Sequence, residues 1–387
     1  MANIFFFILL IDLLIAPYLQ FFIIPMGLLA IIFLPLFINI TIKLDRYVGF
    51  FAVIFFSVII SAFLSFFRPS ASIYLLDNFK YSMQFISLFL YFFIFRWYAM
   101  KKMQNDKFII SALYIFAFWY VLLAIFYVVN PIYTIDLIKF IYGRTTVNVT
   151  DFAFDFRFPY IFQDANTAIY FFLMATGFIY ILRPTRINFY LFFVLGAFTT
   201  LLSQSTGGLL AWLIMSVLMT ADNFKFSFKH FLFLGIAIFL FLTSFYIVNS
   251  YFSWEKINFF YDLAYERFTD DDRISSGGGR LHHWLNLFHM YPLPIGRGYF
   301  LYDKTSTLPP HSDFLGLIYR YGLLALIPTL LFLFYRVKKL IFIFPAVIIP
   351  FLVNSLIDES KFFALYLAFL GLYIGFYANN HEALATK

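Results

Sequence analysis

The chain of 387 residues contains no cysteine, which excludes disulfides, thiolate nucleophiles and cysteine-ligated metals in one step. Charge is also scarce: only 12% of residues are Asp, Glu, Lys or Arg. A soluble domain carries about a quarter, so a water-soluble globular fold is excluded. The six histidines are too few and too scattered for an obvious zinc constellation. Periodic repeats, low-complexity tracts and a linker to a soluble domain are missing as well. The opening MANIFFFILLIDLLIAP lacks a basic flank and a small-residue cleavage signal. It reads as a retained first span rather than a signal peptide.

What the chain has is apolar bulk. Hydrophobic residues make up 63%, with 61 phenylalanines, as suits a lipid-exposed helical bundle. The net charge is +7, but the basic residues form no tail of the kind that binds nucleic acid, and no nucleic-acid partner is expected. A membrane protein is basic when its cytoplasmic loops are.

A span needs about 20 predominantly apolar residues. Candidate spans cover 4–16, 20–38, 48–67, 80–98, 107–129, 161–181, 187–201, 206–220, 229–248, 313–335, 339–355 and 362–378. Pro17 divides the first pair, because proline cannot donate the helical hydrogen bond. The stretch 187–220 divides at Ser203–Gly208. Merging either pair would leave 11 spans and put the termini on opposite faces. The expected fold is therefore an all-α polytopic membrane protein of about 12 transmembrane helices, with a helical periplasmic cap, forming one membrane domain over 1–387.

Charge alternation supports that count. With the N-terminus inside, short inward links carry Lys43 and Arg46; Arg96, Lys101, Lys102 and Lys107; Arg183 and Arg186; Lys225 and Lys229; and Arg336, Lys338 and Lys339. Two longer polar segments, 129–160 and 249–312, then face outward, the second inserted between spans nine and ten. The first contains IYTIDLIKFIYG, amphipathic enough to lie in the interface. The second contains RLHHWLNLFHMYP, whose Leu281, Trp284, Leu285 and Phe288 recur at helical spacing. Glycines 277–279 hinge its approach, and Pro292 and Pro294 end it.

Outward arginines and histidines on a greasy protein suggest an anionic, lipid-linked ligand. Guanidinium groups match phosphate oxygens bidentately and keep their charge when partly desolvated. Arg280 follows three glycines and opens a helix, so backbone amides there can assist in holding an anion. Arg157 either binds such an anion or snorkels to the interface. Arg297, between Gly296 and Gly298, suits phosphate, sugar or merely a tight turn. Arg320 lies inside the tenth span, where it faces a polar cavity or pairs with Asp313 or Glu359.

His311 is the acid–base candidate, since an imidazole titrates near neutrality. Pro309 and Pro310 constrain its approach, and Asp313 is placed to orient neighbouring groups. His282 and His289 lie seven apart but compose no metal motif. Asp164 and Asn166 begin the sixth span within reach of a headgroup or sugar, although Asp164 is equally suited to capping the helix. Gln204, Ser205 and Thr206 belong to the same polar cavity, while Gly207 and Gly208 permit close helix packing.

Taken in order, these segments resemble the O-antigen ligase and polymerase family. Its members have an arginine opening a periplasmic helix, a P-x-x-G-x-G turn, His-Asn-x-x-L entering a membrane helix and a later glycine. Here the counterparts are Arg280, the PLPIGRG turn, His311-Ser312-Asp313-Phe314-Leu315 and Gly322. Upstream, Arg157 with Phe162-Gln163-Asp164-Ala165-Asn166 resembles the family's arginine followed by acidic-Pro-Asn, and Leu202–Gly208 resembles its Ser-Arg-Gly segment. The likeness covers roughly 140–340. Thr206 stands where many relatives have arginine, and Ser312 replaces the usual asparagine.

The resemblance implies metal-independent, cofactor-free, inverting transfer from a polyprenyl-diphosphate-linked oligosaccharide to a sugar hydroxyl at the outer face of a bacterial inner membrane. His311, Arg280 and Arg157 would be catalytic; Arg320, Arg297, Asp164, Asn166, Asp313, Gln204 and Ser205 would bind substrate. The altered motifs favour a repeat-unit polymerase for O-antigen or capsule, with a flippase and a chain-length regulator as partners besides membrane lipid. A ligase transferring the glycan to lipid A core is the alternative within the family. A transporter of an anionic or lipid-linked glycan is the alternative outside it, although no convincing repeat relates the two halves.

Overall fold

The computed structural model describes residues 6, 9–10, 13–14, 45–65, 75–101, 106–142, 158, 160–162, 165–223, 294–296, 312–335, 338–353 and 360–385. Every regular element among them is helical. In chain order they are α1 (Arg46–Ser65), α2 (Leu75–Lys101), α3 (Asp106–Val129), α4 (Pro131–Tyr142), α5 (Ala165–Leu182) and α6 (Arg186–Ser203). Then follow α7 (Thr206–Asn223), α8 (Asp313–Tyr321), α9 (Leu323–Phe334), a 3₁₀ turn (Lys338–Phe342), α10 (Phe344–Val353) and α11 (Ser360–Ala385). Five of these, α1, α2, α3, α5 and α6, are long and apolar enough to cross a membrane. The protein is an all-α, multi-pass membrane protein. The expected spans at 20–38 and 229–248, and most of the one at 4–16, lie outside the described residues.

The local signals are ordinary capping chemistry. Thr185 accepts a hydrogen bond from the Asn188 amide at 3.2 Å and starts α6. Ser205 accepts one from the Gly208 amide at 3.0 Å and starts α7, so the expected division at Ser203–Gly208 is present. A helix occupies Pro131–Tyr142, where the amphipathic stretch was read; Thr134, Ile135 and Ile138 are buried while Ile132, Tyr133 and Phe140 are exposed. The expected tenth span is not one helix. It breaks at Gly322, whose φ of 79° ends α8 before α9 begins. The eleventh differs too: Lys338–Phe342 winds as a 3₁₀ turn, and the α-helix starts only at Phe344, with Pro345 tolerated in its first turn.

Among the described residues, the most extensive helix pair is α2 with α11. A Cβ on Gly371 would fall 2.3 Å from the Phe92 carbonyl oxygen, and one on Gly375 would fall 2.6 Å from the Ala99 Cβ. Two glycines four apart thus let the backbones meet, which in lipid is the main source of helix association. Gly371→Leu should destabilise the protein by about 1–3 kcal/mol or more through overpacking, read as a lower melting temperature in detergent. Gly49→Ala, where a Cβ meets nothing within 4 Å, is the control.

Contacts tie the helix ends into two levels. At one, Arg46 donates to the Tyr335 hydroxyl, Asp45 pairs with Arg96, and Tyr47 donates to the Tyr335 carbonyl. The Lys339 amide donates to the Tyr373 hydroxyl, and Tyr180, which packs on Phe342, donates to Asp222. Basic residues read as inward-facing, among them Arg46, Arg96, Lys338 and Lys339, therefore gather at a single end. The polar residues of interest occupy the other.

Candidate functional site

Helix α8 is amphipathic in the opposite sense to a lipid-facing helix. Asp313, Gly316, Leu317 and Arg320 follow the spacing of one helical face, and all are buried. Phe314, Leu315 and Ile318, on the other side, remain partly exposed. Asp313 and Arg320 are each only 5% exposed. Two charges enclosed in a membrane bundle are costly without a polar partner or a polar cavity. The N-cap is Ser312, whose hydroxyl accepts from the Leu315 amide at 3.3 Å. Serine and asparagine cap about equally well, which accounts physically for Ser312 in place of asparagine.

The break after α8 is held from three directions. The Gly322 amide donates to the Ile318 carbonyl at 2.9 Å, and the Leu324 amide donates to the Pro294 carbonyl at 3.2 Å. From α1, the Ser61 hydroxyl donates to the Arg320 carbonyl at 2.6 Å, and Ser57 reaches the Leu324 carbonyl at 3.1 Å. From α2, the Phe85 ring stacks on Tyr321 at 5.2 Å. These bonds satisfy backbone groups that lipid could not. Pro294–Gly296 supplies the close fit: a Cβ on Gly296 would fall 2.2 Å from the Arg320 carbonyl oxygen, and one on Gly322 would fall 2.4 Å from the Pro294 oxygen. Its glycine thus serves a tight backbone approach that fixes Arg320. Gly296→Ala should displace that carbonyl and reduce activity, while Gly49→Ala leaves it unchanged; initial rates on equal amounts of folded protein would decide.

A second polar lobe forms where α6 turns into α7. Thr199, Thr200, Ser203, Gln204 and Ser205 are all buried there. Gln204 takes the left-handed conformation, φ 48° and ψ 39°, which costs a non-glycine residue about 1–2 kcal/mol. Nearby Tyr160 does the same at φ 54°. The two turns are joined by the Phe158 amide, which donates to the Leu202 carbonyl at 3.0 Å. Stacking of Phe158 on Tyr127 at 4.0 Å and of Tyr160 on Tyr120 at 4.6 Å anchors the strand of chain that does this. Burial pushes the Tyr160 phenol pKa up, so it stays neutral. Tyr160 was not singled out from sequence; in a chain that is 24% aromatic, one more tyrosine carries no signal.

Gly207 and Gly208 serve close packing. A Cβ on Gly207 would collide with the Tyr170 hydroxyl at 2.1 Å, and one on Gly208 would lie 2.6 Å from Ile169. Thr206 is exposed at the start of α7. Asn166, half-buried, lies one turn before Tyr170 on α5 and so sits at the same end of the bundle. Helix α10 packs against both α7 and α8. Its Ile349 would be 3.5 Å from a Cβ on Gly207, and its Phe351 ring is 6.2 Å from Phe314. The Gln204–Ser205 turn and the start of α8 therefore flank the same half of one short helix.

Arg157, Asp164, Arg280, Arg297 and His311 lie outside the described residues. Four of them are covalently next to fixed positions: Arg157 to Phe158, Asp164 to Ala165, Arg297 to Gly296 and His311 to Ser312. Among the described residues, no group of three His, Asp or Glu side chains forms a metal-ligand set.

No curated protein and no solved structure matches the chain. A family model does, over residues 191–330, a stretch that begins in α6 and ends in α9. It takes in the Gln204–Ser205 turn, Arg280, Arg297, His311, Asp313 and Arg320, and leaves Arg157, Asp164 and Asn166 outside. That model is described as O-antigen ligase, and a stretch matching it is found over this part of the multi-pass membrane protein.

Proposed function

We propose that the protein transfers a glycan from a polyprenyl diphosphate to an acceptor hydroxyl at the membrane face opposite its basic loops. The observation that carries this is α8, a short helix whose buried face holds Asp313 and Arg320 inside the family-matched segment. The acceptor oxygen attacks the anomeric carbon, the bond from that carbon to the phosphate oxygen breaks, and the diphosphate leaves on its lipid. His311 takes the hydroxyl proton. Arg280, Arg157 and Arg320 meet the charge developing on the leaving diphosphate, with Arg297 beside them. Asp164, Asn166, Asp313, Gln204 and Ser205 contact the substrate. Direct displacement inverts the anomeric centre, and no metal is required.

The family description favours ligation to a lipid A core or comparable acceptor. Repeat-unit polymerisation is the second reading. It is favoured by the turn in which Thr206, exposed and uncharged, replaces the arginine of many relatives. Proteoliposomes given the native lipid-linked repeat unit and a lipid A core acceptor separate the two. Glycan on the core supports ligation, and a ladder on the polyprenyl lipid supports polymerisation. Neither product, with folded protein, would defeat glycosyl transfer and leave transport of the glycan standing.

Orientation is tested separately. Basic residues at one end imply that this end is cytoplasmic. Cysteines introduced at Thr41 and Ser275 should then be labelled from opposite faces of sealed cells. Labelling from the same face would overturn the outward-facing site.

A further inference from the structure

Gln204 has no structural reason to be glutamine. It occupies the position after α6 where glycine, or sometimes asparagine, relieves the left-handed conformation. Its backbone amide is used, donating to the Thr200 and Leu201 carbonyls. Its side chain is not: at 4% residue exposure, the carboxamide makes no hydrogen bond to any described residue. Nor are its polar atoms sealed away, since the enclosed polar atoms lacking partners belong to other residues. A strained backbone therefore carries a nearly buried, open-handed amide.

The surroundings indicate what it meets. The turn Ser203–Gly208 carries no charge. The Ser205 hydroxyl accepts from the Gly208 amide, which leaves its proton to donate. Thr200 donates to the Gly196 carbonyl at 2.7 Å, which leaves its oxygen lone pairs to accept, while Thr199 lies beside the Tyr160 phenol. A carboxamide has two donors and an acceptor. That set matches a neutral group that both gives and takes hydrogen bonds, whereas a diphosphate only accepts and is better met by guanidinium.

We propose that Gln204 reads the sugar, its carboxamide hydrogen-bonding a hydroxyl or acetamido group of the glycan. This rests on the glycosyl-transfer reading and assigns Gln204 to the glycan rather than to the diphosphate.

The test uses purified full-length protein in proteoliposomes with the native lipid-linked glycan. Gln204→Gly removes the amide and the strain together, so its melting temperature should equal or exceed that of the unaltered protein. Its kcat/KM for the glycan donor should fall about 3- to 10-fold, the size of one neutral hydrogen bond. Inhibition by polyprenyl diphosphate without sugar should not change. Gln204→Asn, which also tolerates the left-handed conformation, should fall between the two. Unaltered kinetics in Gln204→Gly would overturn the sugar contact while leaving glycosyl transfer intact. So would an equal loss of affinity for the sugar-free diphosphate. Failure of the unaltered protein to transfer any glycan would instead remove the underlying reading and this inference with it.

Discussion

Replacing His311 with alanine is expected to slow glycan transfer about 10²–10⁴-fold while the lipid-linked donor still binds. The expectation follows from where the chain fixes its neighbour. Ser312 is the buried cap of α8, and Asp313 opens the polar face of that helix. His311 is therefore attached directly to the one described helix that turns charge inward. An imidazole there can accept a hydroxyl proton at neutral pH, and the proposed arginine contacts to the diphosphate would remain in its absence. Initial rates and donor retention, measured on the same proteoliposomes, separate the steps. A folded His311→Ala protein with near-normal turnover would eliminate the residue as base. If donor affinity alone collapses, His311 is a phosphate ligand, and Asp313, then Asp164, become the bases to examine.

The parts of the fold written in local chemistry were legible in the chain. The break between α6 and α7 is announced by Ser203-Gln204-Ser205-Thr206-Gly207-Gly208, a polar and glycine-rich interruption that can cap one helix and start the next. The Gly371–Gly375 pair was not singled out in the sequence, and only the contact with α2 gives it meaning. The break between α8 and α9 was not legible. Residues 313–335 are apolar enough for one span, and Gly322 alone tolerates a helix interior. What forces the break is distant: the Pro294 carbonyl and Gly296 occupy the space, and Ser61 takes a carbonyl on the α8 side. The inward polarity of α8 has the same character. The spacing of Asp313, Gly316, Leu317 and Arg320 is visible in sequence, but the same stripe would serve a helix facing water. Only the surrounding helices decide which way it points.

Arg320 should prove as sensitive as the histidine's lower range, with Arg320→Met costing about 10²–10³ in kcat/KM. The backbone there is clamped by Ser61, Gly296 and the Gly322 turn, so the substitution changes the side chain without moving the helix. Arg320→Lys should recover little, because an ammonium keeps the charge but not the planar fork that grips phosphate. A purely structural role makes a different forecast. Arg320 and Asp313 share the buried face of α8 nearly two turns apart, and removing one buried charge can destabilise by leaving the other uncompensated. Pairing Arg320→Met with Asp313→Asn removes both charges and distinguishes the cases. Melting temperature in detergent and transfer rate are measured on the two single variants and the double. If the double variant recovers stability but not transfer, and Asp313→Asn alone loses less transfer than Arg320→Met alone, Arg320 acts on the donor. If it recovers both, Arg320 is an ion partner for Asp313, and the anion must be held by Arg280 and Arg157 alone.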